Sequence, residues 1–222
     1  MKILFLTITL SAAAIVFTAC QTMTNMNNAV PNANGNMNGM DHNAMPMNGN
    51  MMNQNSMTSN QSMMKSDPNA ADSPYECQFI DTMTTHHNSA IEMAKMAVEK
   101  TQNAELKTFA QKIISDQNKE ITQMKDWREK WFAGKPMARN MEMSGMKSSM
   151  PNMKTLETAT GKEFDFAFID AMISHHAGAV QMAKDALAKT EKPEIKTLAQ
   201  NIIKAQEGEI KKMQAWKTAW SK

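Results

Sequence analysis

Cysteine is nearly absent from this chain, whose 222 residues include only Cys20 and Cys77. Two cysteines cannot build the disulfide framework of a small secreted domain, so other contacts must hold the fold together. Aromatic residues make up 6% of the chain, and the formal net charge is +2. So small a charge indicates neither a nucleic-acid-binding surface nor an acidic tail. The residue in excess is methionine, which occurs 25 times.

The N-terminus has the pattern of an export signal. Lys2 and an apolar run over residues 3–17 precede two small residues and then Cys20. The run is too short to span a bilayer. It resembles a bacterial lipoprotein signal peptide over residues 1–20, in which Cys20 carries the lipid, and Gln21 after it suggests the outer membrane. The alternative is an ordinary cleaved secretory peptide. Both place the mature protein outside the cytoplasm, and the first anchors it at the periplasmic face of the cell envelope.

Residues 21–73 lack Leu, Ile, Phe and Trp but contain 14 Asn and 11 Met. Such a segment cannot bury enough apolar surface to offset the entropy of ordering, so we predict a disordered arm. Its stretch MDHNAMPM, residues 40–47, lets a flexible chain wrap several thioethers around one soft ion. The candidate ligands there are Met40, His42, Met45 and Met47. The alternative is a low-complexity tract whose methionines are incidental or scavenge oxidants.

The rest of the chain is an internal duplication. Residues 79–131 align without a gap to residues 168–220, with 26 of 53 positions identical at an offset of 89. Apolar residues recur in each copy at three- and four-residue steps over two segments, which predicts two helices joined by a short turn. We therefore predict an all-α, four-helix bundle made of helical hairpins at 74–133 and 163–222. A second Met-rich segment, residues 134–162, links them as a flexible chain, and its candidate soft-metal ligands are Met141, Met143 and Met146.

Each first helix carries two adjacent histidines on its apolar face, with one methionine a turn before and another two turns after. Four imidazoles are costly to bury unless each finds a partner, and the spacing indicates metal ligation. The alternative is hydrogen-bonded core histidines, with Glu120 and Glu209 as partners, beside methionines that only pack. Thioethers select Cu(I) and, by the same logic, Ag(I). The absence of Glu-x-x-His disfavours a di-iron site. The candidate ligands are Met83, His86, His87, Met93, Met172, His175, His176 and Met182.

The segments FIDTMTTHHNSAIEMAK and FIDAMISHHAGAVQMAK resemble a signature of the ferritin-like domain-of-unknown-function family 305, F-I-x-x-M-x-x-H-H-x-x-A-x-x-M-A. This family includes the CopM-like periplasmic copper-binding proteins. The resemblance covers two copies from about residue 75 to the C-terminus. It implies a ferritin-like four-helix bundle and, for the copper-binding members, ligation of Cu(I) and Ag(I) by Met and His at the matching positions.

These observations predict a cell-envelope protein that binds Cu(I) and Ag(I) and contributes to copper tolerance or to delivery for export. Its expected partners are the metal ion, the membrane through the N-terminal lipid, and a copper exporter or periplasmic copper carrier, with no nucleic acid. No nucleophile with a base, phosphate loop or carboxylate dyad is evident, so we do not expect an enzyme. Two alternatives remain: a redox enzyme that oxidises Cu(I) or consumes peroxide, and a surface interaction module. Cys77 is expected to pack at the start of the first helix, with copper ligation as its alternative role.

Overall fold

The computed structural model describes residues 65–222, and within this range the chain is helical without a β-strand. None of these helices is both long and apolar enough to cross a membrane. A single 3-10 turn, Ala70–Asp72, precedes the first helix. The α-helices are α1 Tyr75–Lys100, α2 Ala104–Phe132, α3 Met146–Ser149, α4 Met153–Thr158, α5 Gly161–Lys189 and α6 Pro193–Trp220. The predicted all-α class is confirmed.

Local chemistry explains where the hairpins turn. Asn103 precedes α2 in an extended conformation, and its side-chain oxygen accepts hydrogen bonds from the backbone N–H groups of Glu105 and Leu106. Pro193 occupies the first turn of α6, where a missing N–H costs nothing. Three residues separate α1 from α2, and three separate α5 from α6. Connections this short make each pair of helices antiparallel neighbours.

The two hairpins pack together through α1 and α5, which run antiparallel. Glu76 at the start of α1 accepts a hydrogen bond from Thr190 just after the end of α5. At the other end, the Lys100 ammonium lies 5.1 Å from the centre of the Phe164 ring. The core divides into two apolar clusters, and each takes residues from both repeats. The arrangement confirms a ferritin-like four-helix bundle built from two duplicated hairpins.

The segment that joins the hairpins is ordered, in contrast to the flexible linker that the sequence predicts. The buried Asp81 carboxylate on α1 accepts hydrogen bonds from the Ala138 backbone N–H at 2.8 Å and from Arg128 Nε at 2.9 Å. One residue further along α1, Thr82 Oγ1 accepts from the Asn140 N–H at 2.8 Å. These anchors lay residues 138–149 against the bundle, because burying backbone N–H groups requires partners for them.

Two of the three linker methionines named as candidate ligands are core residues in this arrangement. Met141 is 2% exposed and Met146 is fully buried, and both belong to the cluster that contains Phe79 and Met83. Met143 is partly buried against the same cluster. These methionines therefore do not lie on a flexible loop that could wrap around a metal ion, because apolar packing orders this part of the linker. Their role as ligands stays a prediction.

Residues 65–73, which the sequence analysis assigns to the disordered arm, are also ordered. Asp67 accepts hydrogen bonds from the Arg139 backbone N–H and from the Arg139 guanidinium, at 2.8 and 3.0 Å. Ser66 Oγ accepts from the N–H of Met141. The composition of this segment does not predict these contacts, because Arg139 and Met141 lie more than 70 residues further along the chain. The predicted signal peptide and the remainder of the arm lie outside the described residues.

Cys77 packs at the start of α1, as expected from its position. The residue is 1% exposed, and its Sγ lies 3.8 Å from Asp81 Oδ2. Burial and the neighbouring Asp81 charge raise the pKa of the Cys77 thiol. A thiol with a raised pKa stays protonated, and only the thiolate is a strong metal ligand. Its surroundings therefore favour packing over copper ligation.

Candidate metal centre

Four imidazoles meet at the centre of the bundle, where α1 crosses α5. The ring centroids of His86 and His175 are 3.7 Å apart, and the rings are inclined by 36°. His87 and His176 flank them, with centroids 6.5 and 6.3 Å from those of their sequence neighbours. All four side chains are fully buried. The adjacent His-His pairs thus point into one interior, as the helical spacing predicts.

The outer two histidines each contact a carboxylate from the second helix of their own hairpin. His87 Nε2 lies 2.6 Å from Glu120 Oε2, and His176 Nε2 lies 2.8 Å from Glu209 Oε2. An ionised carboxylate only accepts hydrogen bonds, so both Nε2 atoms carry a proton and donate it. These are the bonds proposed as the alternative to metal ligation. They engage Nε2 alone, so they are compatible with ligation through Nδ1 and correspond to the carboxylate–histidine pairs found behind metal ligands.

The inner two histidines each contact a buried serine hydroxyl. Ser89 Oγ lies 2.6 Å from His175 Nε2 and 3.0 Å from the His86 carbonyl oxygen. Ser149 Oγ lies 2.9 Å from His86 Nε2 and 3.1 Å from the Met146 carbonyl oxygen. A hydroxyl has one proton, and a carbonyl oxygen can only accept it. Both contacts of each serine therefore hold together only if Nε2 carries a proton and donates it to the hydroxyl oxygen.

Every Nδ1 atom of the quartet is buried without a hydrogen-bond partner. The same is true of the side-chain carbonyl oxygens of Gln117 and Gln206, which face inward from α2 and α6. With Nε2–H donated outward, Nδ1 is the ring nitrogen left without a partner, and it bears a lone pair wherever the ring is neutral. Buried polar atoms without partners are uncommon and costly. Four buried ring nitrogens without a partner in one core are therefore the strongest indication in the described residues of a site for a cation.

The electrostatics of the core keep the inner histidines neutral. Burial lowers the pKa of His86 well below its usual 6.5, and the neighbouring His87 and His176 act in the same direction. Burial likewise lowers the pKa of His175, together with the imidazoles of His86, His176 and His87. A neutral imidazole is the form that binds metal ions.

Glu209, which contacts His176, is ionised at neutral pH. Burial raises its pKa, but hydrogen bonding from His176 and the nearby Lys112 ammonium outweigh burial, and the net effect is a pKa below the usual 4.5. The carboxylate behind His176 is therefore a permanent acceptor at neutral pH, which supports the Nε2–H assignment for that ring.

The four methionines predicted as ligands are fully buried and lie on opposite sides of the histidines. Met83 and Met182 belong to one apolar cluster, and Met93 and Met172 belong to the other. This division follows from the antiparallel crossing, because the methionine before one His-His pair lies beside the methionine after the other. Two pairs of thioethers thus bracket the imidazoles.

Two further core methionines are not among the predicted ligands. Met124 on α2 joins the first cluster, and Met213 on α6 joins the second. Their signal is the repeat itself, since they occupy equivalent positions 89 residues apart. With Met141 and Met146 the first cluster contains five buried methionines, against three in the second. The linker therefore makes the two sides of the bundle unequal in sulfur.

Some predicted ligands are not part of this centre. Met40, His42, Met45, Met47 and the lipid-attachment candidate Cys20 lie outside residues 65–222. Within that range, no three His, Cys, Asp or Glu side chains converge closely enough to hold a metal ion by themselves. The further donors that this core offers are the thioethers of the buried methionines and the unpartnered side-chain oxygens of Gln117 and Gln206.

The depressed pKa values predict that the metal-free protein becomes less stable in mild acid. His86 and His175 are neutral when folded but have the ordinary pKa of about 6.5 when unfolded, so the unfolded chain binds more protons below that pH. The free energy of unfolding then falls with decreasing pH, by up to about 1.4 kcal/mol per pH unit for each histidine. Urea unfolding between about pH 7.5 and 5.5, above the carboxylate range, measures the slope. The double variant H86Q/H175Q should show a flatter profile, and an unchanged slope in that variant contradicts the assignment.

The fold and site define a class of protein: a duplicated helical-hairpin bundle whose interior brings histidine and methionine side chains together. A family model described as "Domain of unknown function (DUF305)" matches residues 7–128 and 76–217. The chain belongs to this family, as the His-His-containing segments predict. No curated protein matches the sequence.

Solved structures of CopM and of other DUF305 proteins are similar to this chain. The Cu(I)-bound form of CopM is 39% identical with a TM-score of 0.58, and the match covers 67% of this chain and 99% of CopM. The Ag-bound form obtained by co-crystallization is 41% identical with a TM-score of 0.56, covering 65% and 96%. CopM has also been solved with Cu(II). A secreted DUF305 protein from Streptomyces coelicolor is 29% identical with a TM-score of 0.55, covering 62% of this chain and 87% of its own.

Proposed function

We propose that this protein binds Cu(I), and also Ag(I), in the core of its helical bundle. The observation that carries the proposal is the set of four buried Nδ1 atoms, on His86, His87, His175 and His176, that have no hydrogen-bond partner. Each ring donates its Nε2–H to a carboxylate or hydroxyl, which orients the ring and leaves Nδ1 as the ligand atom. CopM, which covers most of the same bundle, has been solved with both metals.

Ligand softness favours Cu(I) and Ag(I) over harder ions. The cation site is flanked by fully buried methionines on both sides, and thioethers select soft monovalent ions. A neutral imidazole adds nitrogen ligation without adding charge, so a monovalent ion brings only one charge into the bundle interior. Thioethers also have no proton to lose and do not form disulfides, so they remain ligands in acidic and oxidising surroundings.

The cellular part of the proposal rests on the N-terminal sequence. Residues 1–20 resemble a lipoprotein signal with Cys20 as the lipid attachment site, so we propose a protein anchored at the periplasmic face of the cell envelope, at the outer membrane. A tethered Cu(I)-binding protein there would buffer or sequester copper and so contribute to tolerance or to delivery to an exporter or periplasmic carrier. Met40, His42, Met45 and Met47 of the arm would act as collecting ligands.

We propose binding rather than catalysis. Redox turnover of copper requires a site that accommodates both oxidation states and exchanges ions or oxidant with solvent, whereas all four imidazoles here are fully buried. A cuprous oxidase would convert Cu(I) to Cu(II) in repeated cycles above the rate of the free ion. A binding protein would take up Cu(I) stoichiometrically without consuming oxygen.

Competition for Cu(I) under anaerobic conditions tests the function directly. The mature protein, titrated into the coloured Cu(I)–bicinchoninate complex, is expected to bleach it in proportion to added protein. A parallel oxygen-electrode measurement with excess Cu(I) should show no uptake beyond the free-ion rate. Failure to bleach the complex at equimolar protein contradicts Cu(I) binding, and sustained oxygen consumption contradicts a purely binding role.

A further inference from the structure

The two halves of the histidine cluster are related by the repeat, but their serine partners are not. His175 of the second repeat contacts Ser89, which lies on α1 of the first. The residue equivalent to Ser89 in the second repeat is Gly178, at an offset of 89. Strict two-fold symmetry would therefore leave His86 without a hydroxyl partner. His86 has one nevertheless, because Ser149 of the linker lies 2.9 Å from its Nε2.

Gly178 is the reason that the linker can reach this position. A Cβ atom built on Gly178 would overlap with both Cβ and Oγ of Ser149 and with the carbonyl oxygen of Gly145. The Ser149 side chain thus fills the space that a side chain at position 178 would occupy. Gly145 itself has φ +82°, a backbone conformation suited to glycine, and a Cβ there would overlap with the Gly178 backbone. The two glycines form a seat that holds the linker against α5.

Ser149 is placed to set the proton position on His86. It is 2% exposed, and its hydroxyl proton goes to the Met146 carbonyl oxygen, so it presents a lone pair to His86. It also lines a surface cavity of about 380 Å³ between the linker and α5. The serine therefore separates this solvent-accessible cavity from the buried imidazoles.

We propose that Ser149 is a positioning residue of the histidine cluster: its hydroxyl, delivered by the linker, replaces the one that Gly178 lacks and holds His86 as the Nε2–H tautomer. The Nδ1 atom of His86 is then free to bind a soft ion, in the same state that Ser89 imposes on His175. The consequence for metal affinity rests on the proposed Cu(I) function. The tautomer assignment does not, because it concerns the metal-free protein.

Side-chain 15N–1H correlation spectra of the metal-free full-length protein test the proposal, since the two imidazole tautomers differ in their nitrogen shifts. S149A is expected to shift His86 away from the pure Nε2–H form while His175 is unaffected, and S89A is expected to do the reverse. The matched control is S148A, an exposed neighbouring hydroxyl that should change neither ring. A wild-type His86 signature in S149A overturns the proposal.

A second variant tests the seat without removing the hydroxyl. G178A should push the linker away from α5 and separate Ser149 from His86, so its His86 signature should match that of S149A. An unchanged signature in G178A overturns the role of the glycine seat. In Cu(I)–bicinchoninate competition S149A should bind about tenfold more weakly than S148A. A changed tautomer together with equal affinities overturns the positioning role, whereas a wild-type protein that never binds Cu(I) refutes the proposed function and leaves the tautomer result intact.

Discussion

The double variant H86Q/H175Q is expected to lose at least about a hundredfold in its tightest Cu(I) affinity. Loss of groups that merely orient ligands costs roughly 10–100-fold. This variant removes two of the proposed ligand rings, whose centroids are 3.7 Å apart. Glutamine is close to histidine in size and can still donate to the serine hydroxyls, so the bundle should fold. Competition with bicinchoninate measures the affinity, and a urea unfolding curve verifies the fold.

The arm provides the matched control for this experiment. H42Q removes the histidine of the MDHNAMPM stretch and leaves the bundle quartet untouched, so it should preserve the tightest binding step. Equal affinities for H86Q/H175Q and the wild-type protein would show that the buried imidazoles do not bind copper. A loss in H42Q as large as in the bundle variant would place the principal site in the arm.

The largest stability effect is expected for D81N, and the duplication provides its control. Asp81 is 2% exposed, whereas its repeat equivalent Asp170 pairs with Lys217 on the surface with 54% of its side chain exposed. Removing one partner of a buried ion pair leaves the other charge without compensation. Because Arg128 is 15% exposed, solvent relieves part of that cost, and D81N should lose about 2–4 kcal/mol in the free energy of unfolding. D170N should lose less than about 1 kcal/mol.

Urea unfolding of D81N and D170N, with the wild type alongside, measures both values. The Asp81 carboxylate also accepts from the Ala138 N–H, so D81N should loosen the start of the linker and increase amide exchange there. Equal stabilities of the two variants would contradict the role assigned to this buried pair. The contrast is informative because the two aspartates occupy equivalent positions in the repeat. Each pairs with a basic residue at an equivalent position, Arg128 or Lys217, and the linker covers only Asp81.

The local pattern of the chain was enough to predict the helices and the burial of the helical histidines and methionines that form the candidate site. A run of apolar residues at three- and four-residue steps has one low-energy solution in water, an amphipathic helix with that face buried. His86, His87, His175 and His176 lie on that face, so their burial follows from position alone. The duplication adds that the second hairpin carries an equivalent His-His pair on its first helix, so the packing of α1 against α5 brings the two pairs together.

The ordered structure of the linker could not be predicted from local sequence patterns. Its Met-rich composition has no period, so nothing in it indicated that Met141 and Met146 would enter the core. Its anchors, Asp81 and Thr82, are helix residues that sequence patterns assign to a generic polar or packing role. Contacts between segments 57 or 58 residues apart depend on the final shape of the bundle surface, which no local window contains.

The amino-acid sequence alone thus determined the duplication, the helices and the histidine and methionine residues on their buried faces, because the helices and faces depend on residue type and spacing within one or two turns. The tertiary structure decided which ring nitrogen is free, which serine faces which histidine, and that one hydroxyl comes from the linker. Those outcomes depend on hydrogen-bond partners that are distant in the chain: Ser149 is 63 residues from His86, and Ser89 is 86 residues from His175. Only the packed bundle brings them within bonding distance.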